Sequence, residues 1–231
     1  MEELARGFVQ AFNLIFSFEP ALYEIIWLSL RVTGLALAIS VIVGVPIGAA
    51  LGLSRLRLRG LITALLYTGM GLPPVVVGLF VYLFLSRSGP LGGLGWLFTP
   101  SAMVVAQVII AFPLVAGLTM TTVQGIDPAL RLQVRSLGAT PWQEIWAVLR
   151  EARIGVIAAI VAAFGGIISE VGAVMLVGGN IEGKTRVLTT AIVLNTRTGS
   201  FDLALALGVI LLSLAFLANV AMLQLQRRAG D

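Results

Sequence analysis

Residues 32–53 read VTGLALAISVIVGVPIGAALGL, a run of 22 residues without a charged side chain. A helix needs about 20 apolar residues to cross the hydrocarbon core of a membrane, because each residue adds about 1.5 Å. The run shows no alternation with a period of two, which a strand of a membrane β-barrel would need. It therefore predicts a transmembrane helix.

Four later stretches have the same character. They are, to within a few residues, Leu61–Leu85, Ser101–Val123, Ile154–Val177 and Leu203–Leu225. The sequence thus predicts an all-α membrane protein with five transmembrane helices in each chain. The earlier stretch Phe8–Leu30 is apolar but interrupted by polar and proline residues, and it is interpreted as an interfacial N-terminal segment leading into the first span.

The composition agrees with a membrane protein. The 231 residues are 58% hydrophobic and 11% charged, and the mean hydropathy is +1.03. A soluble domain carries about 25% charged residues, so this chain lacks the polar surface to cover a water-facing globule. We expect residues 1–231 to form a single transmembrane domain.

The residue types that are missing limit the chemistry. The chain has no cysteine and no histidine, which removes thiolate catalysis, the commonest general base and the commonest metal ligands. The pattern G-x-x-x-x-G-K-[ST] occurs once, as GGNIEGKT at residues 178–185, but it follows an apolar span and not a strand, so it does not predict the phosphate-binding loop of an ATPase. We therefore expect no catalytic residue, no metal site and no bound cofactor on this chain.

Lysine and arginine are unevenly shared between the two sides of the predicted membrane domain. Nine lie in the loops on one side and five on the other, while Arg31 lies at the mouth of the first span. Cytoplasmic loops are enriched in basic residues, so the N-terminus is predicted outside and the C-terminus in the cytoplasm. This distribution explains the net charge of +4 without nucleic-acid binding.

Glycine and proline mark special positions inside the spans. Gly44, Gly48 and Gly52 recur at a spacing of four, which lets two helix backbones approach closely, and packing within the chain is favoured. Pro73-Pro74 and Pro113 each remove a backbone donor, so we expect those spans to kink or unwind.

The stretch 125–153 is the longest predicted cytoplasmic loop. Asp127-Pro128 is a good helix start, glycine at Gly138 can end that helix, and Thr140-Pro141 can begin another. This pattern predicts a cytoplasmic helix-turn-helix over 125–153, with helical runs at 129–137 and 142–151 and with Arg131, Gln133, Arg135 and Glu144 exposed to the cytoplasm. A loop that only caps the helix bundle is the alternative.

The central residues of this loop, Ser136-Leu137-Gly138-Ala139-Thr140 within Leu132–Glu151, resemble the cytoplasmic signature loop of ABC importer permeases. The resemblance implies the type I importer bundle and a loop that docks in a cleft of a separate ATP-binding subunit. The residues expected to form this ATPase coupling loop are Arg131, Arg135, Ser136, Leu137, Gly138, Ala139, Thr140 and Glu144.

A second resemblance lies further along the chain, in the runs ISEVGA (168–173), GGNI (178–181) and TRVLTTAI (185–192). They are similar to permeases for tetrahedral oxyanions, and most similar to the tungstate type, with molybdate and sulfate permeases as relatives. The residues implied for the translocation pathway or gate are Ser169, Glu170, Asn180, Thr185, Arg186 and Thr189. A carboxylate repels a dianion, so for Glu170 a structural role is favoured: protonated, or bonded to a helix break or an arginine.

The resemblance also implies an assembly in a prokaryotic inner membrane, with membrane lipid around it. Two copies of this chain would join two ATP-binding subunits, which hold ATP and Mg, and an extracytoplasmic substrate-binding protein. Transport would proceed by alternating access and would import an oxyanion, with tungstate favoured. Molybdate or sulfate transport, or a passive channel, are the alternative functions.

Overall fold

The structure is a computed structural model that describes residues 20–54 and 59–230. Within these residues the chain is helical and has no β-strand, which confirms the predicted all-α class. The helices are α1 Pro20–Leu53, α2 Arg59–Met70, α3 Pro74–Leu85, α4 Pro100–Gln124, α5 Pro128–Ser136, α6 Pro141–Glu151, α7 Arg153–Ile168, α8 Gly172–Gly178, α9 Leu188–Arg197 and α10 Phe201–Gly230, and a single 3₁₀ turn covers Gly92–Leu94.

Several of these helices are long and apolar enough to cross a membrane. Three qualify alone within the described residues, namely α1, α4 and the Phe201–Gln224 part of α10. Two bent pairs also qualify, α2 with α3 and α6 with α7, so the described residues hold up to five spans. We treat α6 as part of the loop rather than of a span, because it carries Gln143, Glu144, Arg150 and Glu151.

The structure refines one predicted boundary and contradicts another. Helix α1 begins at Pro20, so residues 20–30 of the predicted interfacial segment are continuous with the first span, while residues 8–19 lie outside the described residues. The predicted fourth span, 154–177, is two helices separated at 169–171. Both differences have one cause, because an apolar run shows how many residues can be buried but not at which residue a helix begins or ends.

The prolines act differently from one another. A break separates α2, which ends at Met70, from α3, which begins at Pro74, as the Pro73-Pro74 pair predicts. Pro113 lies inside the continuous helix α4, so the unwinding expected there is absent. A single proline removes one hydrogen-bond donor, and the remaining backbone hydrogen bonds of this 25-residue helix keep it continuous past Pro113.

The described residues cluster into two compact units, each assembled from separate stretches of chain. One unit contains 20–36, 73–107 and 167–219, and the other contains 37–54, 59–72, 108–166 and 220–230. The single transmembrane domain over 1–231 stays a prediction.

In the second unit, the three glycines of α1 face α4. A Cβ atom at Gly44 would lie 3.0 Å from Val115 Cγ1, and one at Gly52 would lie 2.8 Å from Val123 Cγ1. At Gly48 a Cβ would overlap the backbone carbonyl of Ala116. The small residues therefore serve packing within the chain, which is the use that the sequence favoured.

In the first unit, α3 and α8 approach just as closely. A Cβ atom at Gly78 would lie 2.6 Å from Ala173 Cα, so only glycine fits this crossing. The Ser29 hydroxyl accepts a hydrogen bond from the Leu188 backbone N–H at 2.9 Å, which ties α1 to the first residue of α9. These contacts position α8 and α9. Thr189 lies on α9, and the other predicted pathway residues lie in the two segments that flank α8.

Candidate functional site

The predicted helix-turn-helix is present as α5 and α6, and local hydrogen bonds explain where each helix begins. The Asp127 carboxylate accepts from the Ala129 N–H at 2.8 Å, and Pro128 follows as the first helical residue. At the second start, Thr140 Oγ1 accepts from Gln143 N at 3.3 Å while Gln143 Oε1 accepts from Thr140 N at 2.8 Å. This reciprocal capping box starts α6.

Gly138 makes the turn between the two helices. Its φ of +81° lies in the left-handed region, which a residue with a Cβ enters at a cost of about 1–2 kcal/mol. The N–H of Gly138 donates to Arg135 O at 2.9 Å, and the N–H of Ala139 donates to Val134 O at 3.1 Å. This is the hydrogen-bond pattern of a Schellman motif, and it satisfies the last carbonyls of α5.

Glu144 joins the two helices, and its predicted exposure is wrong. The residue is only 5% exposed. Its Oε1 accepts from Arg131 Nε and its Oε2 accepts from Arg135 Nε, each at 2.7 Å. We call this three-residue arrangement the arginine clip. A carboxylate on the first turn of α6 thus bridges two arginines four residues apart on α5.

The clip also perturbs the acidity of Glu144. Burial by itself raises the pKa of this carboxyl group, but the hydrogen bonds and positive charges of Arg135 and Arg131 outweigh it. The net effect lowers the pKa of Glu144 below its ordinary value, so this side chain is ionised at neutral pH.

The helix pair is anchored to the rest of the second unit. Arg131 Nη2 lies 3.4 Å from Leu53 O, the last residue of α1, where a cation is favoured by the helix dipole. Val148 of α6 is fully buried in an apolar cluster with Ala49, Val123 and Ala152. A displacement of α6 is therefore passed to α1 and α4 through direct contacts.

The outer face of the pair is exposed. Leu137 is 85% exposed and Leu132 is 68% exposed, so this face presents two apolar side chains that the described residues leave uncovered. Ser136, Gly138 and Thr140 are also exposed, whereas Ala139 is half-buried. Seven of the eight predicted coupling residues thus lie on or at the edge of this face, and Glu144 lies beneath it.

Among the predicted pathway residues, Glu170 lies in the break between α7 and α8. Its Oε1 accepts a hydrogen bond from Ala173 N at 2.9 Å, and Thr189 Oγ1 donates to its backbone carbonyl at 3.1 Å. Glu170 is therefore bonded to a helix break, which is one of the structural roles that the sequence favoured. Thr189 is brought to the same break from α9.

Three of the remaining predicted residues, Asn180, Thr185 and Arg186, form a separate group after α8. Thr185 is buried, and its hydroxyl donates to Gly178 O at 2.6 Å and accepts from Ile181 N at 2.9 Å. Asn180 has a φ of +52° within this turn. Arg186 pairs with Glu182 at 3.2 Å, and the side chain of Ser169 is exposed at the break. Thr185 thus holds the turn rather than facing open space.

The sequence missed a further group of polar residues beside Glu170. Gln107 is buried, and its Nε2 donates to Ile167 O at 2.9 Å. With Ser29, Thr33 and Thr189 it lines a cavity of about 10 Å³, which is room for about one water molecule. In the sequence, these residues could have been found as amide or hydroxyl side chains within otherwise apolar stretches.

Known proteins are similar to this chain in sequence. A family model described as "Binding-protein-dependent transport system inner membrane component" matches residues 44–231. The tungstate uptake system permease protein TupB of Peptoclostridium acidaminophilum is 42% identical over 226 residues, covering 98% of this chain and 99% of that protein. The molybdenum transport system permease protein ModB of Azotobacter vinelandii is 33% identical, covering 71% of this chain and 76% of that protein.

A solved structure shares the fold. The bacterial alginate ABC transporter in complex with its alginate pentasaccharide-bound periplasmic protein matches with a TM-score of 0.79 at 20% identity, covering 97% of this chain and 86% of that chain. This match establishes the fold as that of ABC importer permeases.

Proposed function

Because this chain belongs to the family of binding-protein-dependent transport system inner membrane components, we propose that it is the transmembrane subunit of an ATP-driven importer for a tetrahedral oxyanion, with tungstate as the preferred substrate. The chain is a multi-pass protein of the inner membrane. The full-length similarity to a tungstate uptake permease supports the choice of substrate.

The observation that carries the proposal is the α5–α6 hairpin. The arginine clip and the Val148 cluster hold its inner side, and Leu137 is exposed on its outer side. A hairpin that is held on its inner side and exposes an apolar tip is suited to transmit a displacement from another protein that contacts the tip. We assign that protein as an ATP-binding subunit that binds ATP and Mg. In this chain the phosphate-binding-loop pattern at residues 178–185 follows helix α8 and not a strand, and the Thr185 hydroxyl is buried and donates to Gly178 O.

The proposed mechanism is alternating access. Two copies of the chain would bring two hairpins to two ATP-binding subunits, and an extracytoplasmic binding protein would deliver the anion. ATP binding would draw the hairpins together and open the pathway outward, and hydrolysis would return it inward. Residues Ser169, Glu170, Asn180, Thr185, Arg186 and Thr189 stay proposed as pathway or gate residues, with Glu170 and Thr185 acting through the backbone that they hold.

Orientation belongs to the same proposal. The excess of arginine on the side of the α5–α6 hairpin predicts a cytoplasmic hairpin, an outside N-terminus and a cytoplasmic C-terminus. That is the side on which a soluble ATPase is available.

The substrate is tested by uptake. Cells with and without this chain are supplied with low concentrations of tungstate, molybdate and sulfate, and cellular tungsten, molybdenum and sulfur are measured by elemental analysis. Selective loss of tungsten supports the proposal. Loss of molybdenum or sulfur instead would keep an oxyanion importer and change its substrate, and no change in any of them would overturn the oxyanion assignment.

The docking role is tested separately by co-purification of the ATP-binding subunit. Gly138→Trp adds a side chain at the exposed turn, where a Cβ meets no atom within 4 Å, so the hairpin itself is not overpacked. Gly183→Trp is a matched control, because Gly183 also has a positive φ, +66°, and an open Cβ position. Loss of the ATP-binding subunit in the first variant alone supports docking at this turn, and its retention would refute the assignment.

A further inference from the structure

An open apolar groove of about 920 Å³ lies within the second compact unit. One wall is the part of α1 that carries Val41, Val45 and Ala50, and the other walls belong to α6 and α7. The volume is near the upper end of the range for small-molecule sites, about 300–1,000 Å³. The groove is therefore large enough for an extended aliphatic chain and not only for water.

Two arginines line this groove where α6 meets α7. Arg150 and Arg153 flank the exposed Glu151 and the buried Ala152, at the point where the two helices bend by 71°. Among residues 20–54 and 59–230, no carboxylate pairs with either guanidinium group. Two cations without an anionic partner beside an apolar wall are complementary to a ligand that is anionic at one end and aliphatic along its length.

Two tryptophans mark the same place. Trp142 and Trp146 line the groove, are 63% and 58% exposed, and pack edge to face with ring centroids 6.1 Å apart. Tryptophan is enriched at the boundary between hydrocarbon and water, because its ring is amphipathic. The position of α6 thus corresponds to the headgroup level, with the α7 wall of the groove continuing into the apolar region.

We propose that this groove binds one anionic phospholipid of the cytoplasmic leaflet, with its phosphate at Arg150 and Arg153 and an acyl chain against Val45 and Ile157. The choice of leaflet rests on the orientation in the proposed function. Because arginine and tryptophan are also enriched at interfaces between proteins, a second copy of the chain is the alternative occupant, and the test below distinguishes the two.

The test measures lipid retention. The full chain is extracted in mild detergent with the subunits that accompany it, and native mass spectrometry counts the bound molecules after titration with dioleoyl phosphatidylglycerol or dioleoyl phosphatidylcholine. Each arginine beside an anionic lipid contributes about fivefold in affinity, so phosphatidylglycerol is expected to be favoured on the order of 25-fold.

Two variants separate the headgroup from the groove. Arg150→Gln with Arg153→Gln is expected to abolish the preference for phosphatidylglycerol. Arg87→Gln with Arg197→Gln removes the same net charge from two exposed positions elsewhere and is expected to keep the preference. Ala50→Trp fills the groove from an exposed position on α1, and it is expected to reduce retention with both arginines intact.

Three results would overturn the proposal. Equal retention of the two lipids by the unaltered chain would exclude an anionic headgroup site. An equal effect of both arginine double variants would show a response to net charge alone. A fall in the number of chain copies in the Ala50→Trp complex would assign the groove to contact between copies. Because none of these measurements uses transport, their failure is distinguishable from failure of the proposed function.

Discussion

Replacing Glu144 by glutamine tests whether the arginine clip makes the hairpin rigid. The substitution keeps the size of the side chain and removes the charge that Arg131 and Arg135 share. A hydrogen bond to a charged group contributes about 1.5–3 kcal/mol, whereas an exposed ion pair contributes only about 0.2–1 kcal/mol. The side chain of Arg131 is 31% exposed, so its contact with Glu144 is assigned the lower end of the range for hydrogen bonds to charged groups. The side chain of Arg135 is 59% exposed, so its contact with Glu144 is assigned the range for exposed ion pairs.

The expected loss is therefore about 2 kcal/mol, which corresponds to an increase of about 30-fold in local opening. Hydrogen exchange of the full chain, followed by mass spectrometry of peptides covering residues 128–151, measures this opening directly. We expect faster exchange in α5 and α6 and unchanged exchange in peptides from α10.

Glu151→Gln is the matched control for this experiment. Glu151 ends the same helix, is exposed, and has no ion-pair partner among the described residues. Its replacement should leave exchange unchanged. If Glu144→Gln behaves like this control, the clip does not stabilise the hairpin and the argument for a rigid coupling element is refuted.

The same clip has a defined dependence on pH. Because the folded-state pKa of Glu144 is lower than its ordinary value, its contribution is complete above about pH 4.3 and is lost as the pH falls through the lower folded-state pKa. The melting temperatures of the unaltered chain and of Glu144→Gln should therefore differ by a constant amount from pH 7 to pH 5 and converge in stronger acid. Convergence already at pH 6 would contradict a lowered pKa.

Three further predictions concern the packing and the helix break. Gly48→Leu should lower the melting temperature by overpacking α1 against α4, at a cost of about 1–3 kcal/mol or more, while Gly208→Leu, at a position where a Cβ meets no atom, should not. Glu170→Gln should keep anion uptake, because the amide oxygen still accepts the helix-capping hydrogen bond from Ala173 N, whereas Glu170→Leu should lose about 1 kcal/mol of stability. Reduced uptake by the glutamine variant without loss of folded protein would instead indicate a role for the charge. Thr185→Val removes both hydrogen bonds of a buried hydroxyl and should lower the free energy of unfolding by about 1–3 kcal/mol. Thr196→Val, at an exposed position, should have a much smaller effect on thermal unfolding, and equal effects would contradict the role given to Thr185.

Local signals in the chain were sufficient for much of the fold. The length of each apolar stretch predicts the spans. The membrane interior offers no hydrogen-bond partner to backbone N–H and C=O groups, so the chain must pair them within a helix. Asp127 and Thr140 predict the two starts in the loop, and Gly138 predicts the turn, because capping and left-handed geometry involve only residues within a few positions. The glycine spacing in α1 predicts a close helix contact for the same local reason.

The sequence alone therefore determined an all-α membrane protein with a helical hairpin in its longest loop, since each of these features depends on hydrophobicity or on neighbours along the chain. The tertiary structure decided the burial of Glu144, which depends on two arginines 9 and 13 residues away on another helix. It also decided the helix break that Glu170 caps and the groove beside Arg150 and Arg153. These features exist only after separate helices pack together, because burial and pairing are set by what lies across a contact and not by what precedes it in the chain.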